Sequence, residues 1–122
     1  ERVRYVDGGS LDDRSRGARG MVTINSTAGL KALCLGCPVI TLGQAIYDVP
    51  GLTFQESLDR FWTGAIQPRT DLLADYLAAM TACIQIRGVF YARPGLDAAV
   101  AAAVHRLDAE WVNAPVPEGA AG

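Results

Sequence analysis

The sequence predicts an α/β protein: a Rossmann-like three-layer half-domain with a small parallel sheet and C-terminal helices. Three observations carry this. Short β-branched apolar runs alternate with helical segments through the first half of the chain. Glycines at Gly8-Gly9, Gly36 and Gly43 punctuate those segments where turns are required. From Leu72 onward the apolar residues recur at three- and four-residue steps, with no further strand-like run.

Taken in order, Arg2–Asp7 reads as a short strand with Val3, Tyr5 and Val6 apolar, broken by Gly8-Gly9. Ser10 caps a short helix, with Asp13 near its positive end, that stops near Gly17 or Gly20. Met21–Asn25 is a continuous β-branched run of the kind covered on both faces of a parallel sheet. Ser26-Thr27 opens a helix to about Leu35, with Gly36 as its C-cap. Pro38–Leu42 is the next strand, followed by a long loop from Gln44 to Gly51. Leu52–Phe54 is a short strand or an extended segment, and Ser57 caps a helix through about Thr63. Leu72, Leu73, Tyr76, Leu77, Met80 and Ile84 form one apolar helical face; Leu96, Val100, Ala103, Val104, Leu107 and Trp111 form another, introduced by Pro94. The order implies a βαβαβ half with right-handed crossovers. Residues 1–112 are expected to form this domain, and the Pro/Gly/Ala-rich residues 113–122 a disordered tail.

Composition narrows the function classes. The chain has 122 residues, 50% hydrophobic and 20% charged, which suits one small soluble domain and is too apolar for a disordered segment. Its formal net charge is −2, and no Lys/Arg-rich run appears, so no nucleic acid partner is expected. No stretch reaches the ~20 apolar residues of a membrane span, and charges at Arg2, Arg4 and Asp7 interrupt any secretory signal. The chain starts at Glu1 rather than Met, which predicts a portion of a longer protein.

Three Cys do not make a disulfide framework, and Cys34-x-x-Cys37 with the single His105 cannot complete a zinc site. The C-x-x-C falls at the end of a helix, where the dipole does not stabilise a thiolate, so two small packed thiols are expected there. No Ser/His/Asp set, carboxylate pair or metal cluster is recognisable, and no catalytic or metal-binding residue is assigned.

The strongest candidate site is Ile24-Asn25-Ser26-Thr27-Ala28-Gly29, where a strand's carboxyl end meets a helix amino terminus. Open α/β sheets bind ligands in that crevice. Free N–H groups and the helix dipole favour an anion there. Ser26 and Thr27 add hydroxyl donors, and Gly29 permits close approach. The pattern is neither G-x-G-x-x-G nor a Walker A loop. Local chemistry leaves two readings open, a phosphate cradle and a plain helix cap. The Asn25-Ser26-Thr27 glycosylation sequon is set aside at a strand end in a chain without a signal.

The loop Gly43–Thr53 leaves the same sheet edge. In it Gln44 could donate to a phosphate, Tyr47 could stack on a base or sugar, and Asp48 could accept from a hydroxyl; alternatively Tyr47 packs and Asp48 caps the turn. Arg87 and Arg93 are read as solvated surface groups.

Val22–Leu30, then Gly36-Cys37-Pro38-Val39, then Leu42–Thr53 together resemble the capsule polysaccharide biosynthesis/export family, bacterial proteins similar to Kdo transferases of the capsule linker. The resemblance covers about residues 20–54. It implies the C-terminal half of a GT-B-type arrangement, two Rossmann-like domains with the sugar nucleotide held mainly by the second. On that basis Ser26 and Thr27 would hold the phosphate of a CMP-activated Kdo-type donor, with Asn25 and Gly29 shaping the turn. Gln44, Tyr47 and Asp48 would line the same cleft. Gln44 stands where a basic residue is expected in many relatives, which weakens a charge clamp there.

The resemblance further implies no cofactor, a nucleotide-sugar donor, and a glycolipid or glycan acceptor held by the other domain. Capsule assembly proteins are expected partners, and the expected location is cytoplasmic, peripheral at the inner membrane. Two other readings stand beside the transferase: a non-catalytic scaffold module of capsule assembly, and a UDP-sugar epimerase-like domain.

Overall fold

A computed structural model describes residues 2–86 and 88–110. Two strands form the sheet, β1 (Met21–Thr23) and β2 (Val39–Thr41), paired in parallel with Met21 opposite Val39 and Thr23 opposite Thr41. Among the described residues five helices complete the element order: α1 (Leu11–Gly17) before β1, α2 (Thr27–Cys34) between the strands, then α3 (Leu58–Gly64), α4 (Thr70–Cys83) and α5 (Gly95–Asp108). This is a small α/β half-domain, as the alternation of runs predicted. The chain divides into two compact units, residues 1–73 and 74–122.

In the first unit the core is built on β2 and α2. Val39, Ile40, Ala32, Leu33, Cys37, Leu52 and Phe61 are buried, each large side chain contributing about 1.5–3 kcal/mol. Ser10 caps α1 by accepting from Asp13 N–H at 3.3 Å, and Lys31 on α2 pairs with Asp12 on α1 at 2.6 Å. Gly36, at φ +76°, ends α2 in the left-handed conformation that only glycine adopts cheaply. Gly36 N–H then donates to Leu33 O at 2.9 Å, returning the chain to β2.

The strand expected at Arg2–Asp7 does not form: these residues carry no strand pairing, and Val3 and Tyr5 are 79% and 88% exposed. Alternating side chains favour extended backbone, but a strand exists only when a neighbour takes its hydrogen bonds. Among the described residues the sheet therefore holds two strands rather than the three or four expected. Of Leu52–Phe54, Leu52 lies in a turn, its N–H donating to Val49 O at 2.9 Å, while Phe54 N–H donates to Val39 O at 2.8 Å and Thr53 bridges to Pro50. Ser57 occupies the N-cap position of α3, but its side chain makes no capping bond.

In the second unit α5 meets the α4–α5 connection at Gly88 and the end of α4 through Arg106. Ala99 is buried, Leu96, Ala102, Ala103 and Arg106 are half-buried, and Val100, Val104 and Leu107 are exposed. The packed face is thus rotated from the one the larger apolar residues suggested. Gly88 explains the choice: a Cβ there would stand 2.5 Å from the Ala99 Cβ, so only a small residue fits opposite. Arg106 donates to Cys83 O at 2.6 Å and Ala82 O at 2.9 Å, satisfying carbonyls at the negative end of α4. Trp111 and the tail at 113–122 lie outside the described residues, as does Arg87.

Among the described residues no helix is long and apolar enough to cross a membrane.

Candidate functional site

Two turns leave the carboxyl edge of the sheet side by side. The parallel ladder runs past the strands: Leu42 N–H donates to Thr23 O at 2.8 Å and Gly43 N–H to Ile24 O at 2.9 Å. Asn25 and Gln44 each stand one residue beyond that last rung. Both are exposed, as are Ser26 and Thr27.

Ser26 is the N-cap of α2. Its Oγ accepts from Ala28 N–H at 3.2 Å, its carbonyl accepts from Gly29 N–H at 3.0 Å, and its own N–H donates to Thr23 Oγ1 at 3.3 Å. The turn thereby satisfies Ala28 and Gly29 internally. Thr27 N–H, the Thr27 hydroxyl and the Ser26 hydroxyl proton are left as outward donors at the positive end of a helix.

Tyr47 is 2% exposed, and its hydroxyl donates to the Ser26 carbonyl. Buried and engaged, its ring holds the second turn against the first rather than offering a stacking surface. Gly29 makes this fit possible: a Cβ at position 29 would stand 2.8 Å from Tyr47 Cζ. Asp48 turns back into its own loop, where Oδ1 accepts from Thr53 Oγ1 at 2.6 Å and from Gln55 Nε2 at 3.1 Å. Of the seven residues singled out from sequence, Asn25, Ser26, Thr27 and Gln44 are exposed at the edge. Gly29 and Tyr47 lie beneath it, and Asp48, also exposed, is hydrogen-bonded into its own loop.

Thr53 and Gln55 were not anticipated as part of the site. Thr53 is 4% exposed, and Gln55 Nε2 also donates to Thr53 Oγ1 at 2.8 Å, closing a three-residue polar knot with Asp48. Three apolar side chains with no role expected from sequence are also displayed there: Ile24, Leu42 and Ile46 are 66%, 54% and 66% exposed around the same edge. No Lys or Arg occurs in residues 24–30 or 43–53. Anion recognition here would rest on N–H and hydroxyl donors, not on a cation.

The two C-x-x-C thiols sit in unlike settings. Cys37 is buried, its Sγ lies 3.5 Å from Pro38 O, and burial pushes its thiol pKa up, away from thiolate reactivity. Cys34 is exposed and both thiols are free. Arg93 pairs with Asp97 at 3.5 Å. Among the described residues no group of three or more His, Cys, Asp or Glu is placed to hold a metal ion.

The fold and this edge define a class: a parallel α/β half-domain with a polar turn opening onto a helix amino terminus. A family model described as "Capsule polysaccharide biosynthesis protein" matches residues 1–91. The chain belongs to that family.

Over 91 residues it is 36% identical to "Capsule polysaccharide export protein KpsS" of Escherichia coli, covering 75% of this chain and 23% of that protein. Over 92 residues it is 42% identical to "Capsule polysaccharide modification protein LipB" of Neisseria meningitidis serogroup A, covering 75% and 22%. A shorter match, 43% over 54 residues, is to "Protein FixF" of Sinorhizobium fredii, covering 44% of this chain and 13% of that protein. The chain thus spans less than a quarter of the length of these curated relatives. No solved structure matches.

Proposed function

We propose that this chain is the donor-side domain of a glycosyltransferase of capsule polysaccharide synthesis, and that the α2 amino terminus takes the phosphate of a CMP-activated Kdo-type sugar. The observation that carries the reading is the outward set of donors at one helix start. Thr27 N–H and the Ser26 and Thr27 hydroxyls open at the carboxyl edge of a parallel sheet, where ligands of such folds bind. Asn25 and Gln44 flank them one residue past the last rung. Tyr47 and Gly29 set the angle of the helix start, and Asp48 keeps the second turn closed around it. Family membership supplies the process, and the resemblance of the same segment to Kdo transferases supplies the donor.

Ser26→Asp tests the assignment without disturbing the cap, because Asp caps helices as well as Ser does while its charge repels a phosphate. In calorimetry with CMP, the unsubstituted chain should bind. Ser26→Asp and the double variant Ser26→Ala/Thr27→Ala should each weaken binding about tenfold or more. Unchanged affinity in both variants overturns the phosphate site. The exposed Ile24, Leu42 and Ile46 favour a second reading, a non-catalytic scaffold whose apolar edge docks a capsule-assembly protein. Under it CMP would not bind at all.

A further inference from the structure

A pocket of about 510 Å³ lies at the other end of the strands, lined by Arg19, Gly20, Phe61, Trp62, Thr63 and Ala65. That volume falls within the range of small-molecule sites. Gly20 precedes β1, so the pocket sits at the amino edge, about 13 Å along the strand from the Ile24 turn.

Its floor is fixed. Phe61 is 2% exposed and packs edge-on against both Phe54 and Trp62, at centroid distances of 5.5 and 6.0 Å. Gly20 lets the backbone lie against the Phe61 ring, since a Cβ there would stand 2.6 Å from Phe61 Cζ. Its walls are chemically distinct from the carboxyl edge. Trp62 is 66% exposed beside Arg19, whose guanidinium has no carboxylate partner among the described residues, unlike Arg60, Arg69 and Arg93. Among the described residues of the lining there is no carboxylate.

We propose that this pocket binds an acidic glycan, with a sugar ring stacked on Trp62 and a sugar carboxylate held by Arg19. An exposed indole offers a broad apolar face to the C–H face of a pyranose. A planar guanidinium matches a carboxylate through two parallel hydrogen bonds. Both lie over one concave floor. A capsule polysaccharide family is one whose members handle glycans, and the unpaired arginine selects the acidic ones. The site is independent of the CMP reading, because it lies at the opposite edge of the sheet.

The test is a titration of the full 122-residue chain, followed by ¹H–¹⁵N NMR, with tetragalacturonate, maltotetraose and CMP as separate probes. Tetragalacturonate should shift the Trp62 indole N–H and the Arg19 and Gly20 amides, with Kd roughly millimolar, while maltotetraose leaves them unmoved. Arg19→Ala should weaken binding about tenfold or more, and Arg19→Lys less, because Lys keeps the charge without the fork. Trp62→Ala should remove binding, and Ser26→Asp should leave it unchanged. Equal binding of maltotetraose, no shift with tetragalacturonate, or shifts confined to Asn25–Thr27 would overturn the proposal. CMP binding lost in Ser26→Asp while tetragalacturonate binding persists would show two separate sites.

Discussion

The two turns at the carboxyl edge of the sheet solve opposite problems. After β1 the chain enters α2 within three residues, and its polar side chains point outward with hydroxyls to spare. After β2 the chain runs through a long loop that spends these polar groups inside the protein: Tyr47 on Ser26 of the first turn, and Thr53 and Gln55 on Asp48 within the loop. One turn presents and the other supports. A loop of that length needs such internal bonds, since ordering each backbone residue costs roughly 1–2 kcal/mol. The tight turn into α2 needs fewer: its cap, the Thr23 bond and the Tyr47 hydroxyl hold it.

The largest way to break this division is to push the turns apart. Gly29→Ala gains about 1 kcal/mol of helix propensity, but its Cβ collides with the Tyr47 ring. Overpacking of this kind costs about 1–3 kcal/mol or more. We expect a net loss of roughly 2 kcal/mol in urea unfolding, and strong non-additivity with Tyr47→Phe, which removes the nearest atom. A stabilised Gly29→Ala, or simple additivity with Tyr47→Phe, would show that the second turn does not brace the first.

A smaller effect sharpens the same point. Tyr47→Phe keeps the buried ring and deletes one hydrogen bond to the Ser26 carbonyl, a loss of about 1 kcal/mol. If that bond aims the helix start, CMP affinity should fall several-fold in calorimetry although no ligand-facing group has changed. Loss of stability with unchanged affinity would make Tyr47 a packing residue only.

The presenting turn was readable from sequence and the supporting one was not. Ser26 and Gly36 mark α2 by chemistry confined to the helix ends, so cap and stop are visible a few residues apart. Tyr47 acts on a carbonyl twenty-one residues away, and nothing local distinguishes a tyrosine that stacks on a ligand from one that braces a turn. The same limit explains the missing strand at Arg2–Asp7, where propensity was present and a pairing partner was not. It also explains the rotated face of α5, where Gly88 admits Ala99 in preference to the larger Val100. Trp62 beside Phe61 was the one local hint of the second pocket, since two adjacent helical aromatics cannot both face the core.

The smallest effect probes where the supporting loop is anchored. Arg69 N–H donates to Gly51 O at 2.9 Å, so the loop's far end is fastened to the start of α4. There the Arg69 guanidinium grips Asp71 through Nη2 at 2.6 Å and Nε at 3.2 Å, and the Asp71 carboxyl is held down at about 2. The folded-state value is depressed below the unfolded one, so the pair stabilises the fold above the ordinary aspartate range and loses that contribution as pH falls toward 2. Both groups are exposed, so the contribution is small and weakened by salt. Melting curves of Asp71→Asn against the unsubstituted chain should differ slightly at pH 6 and converge by about pH 2. A difference that persists at pH 2 would place the effect of Asp71 in the helix start itself, rather than in its charge pair with Arg69.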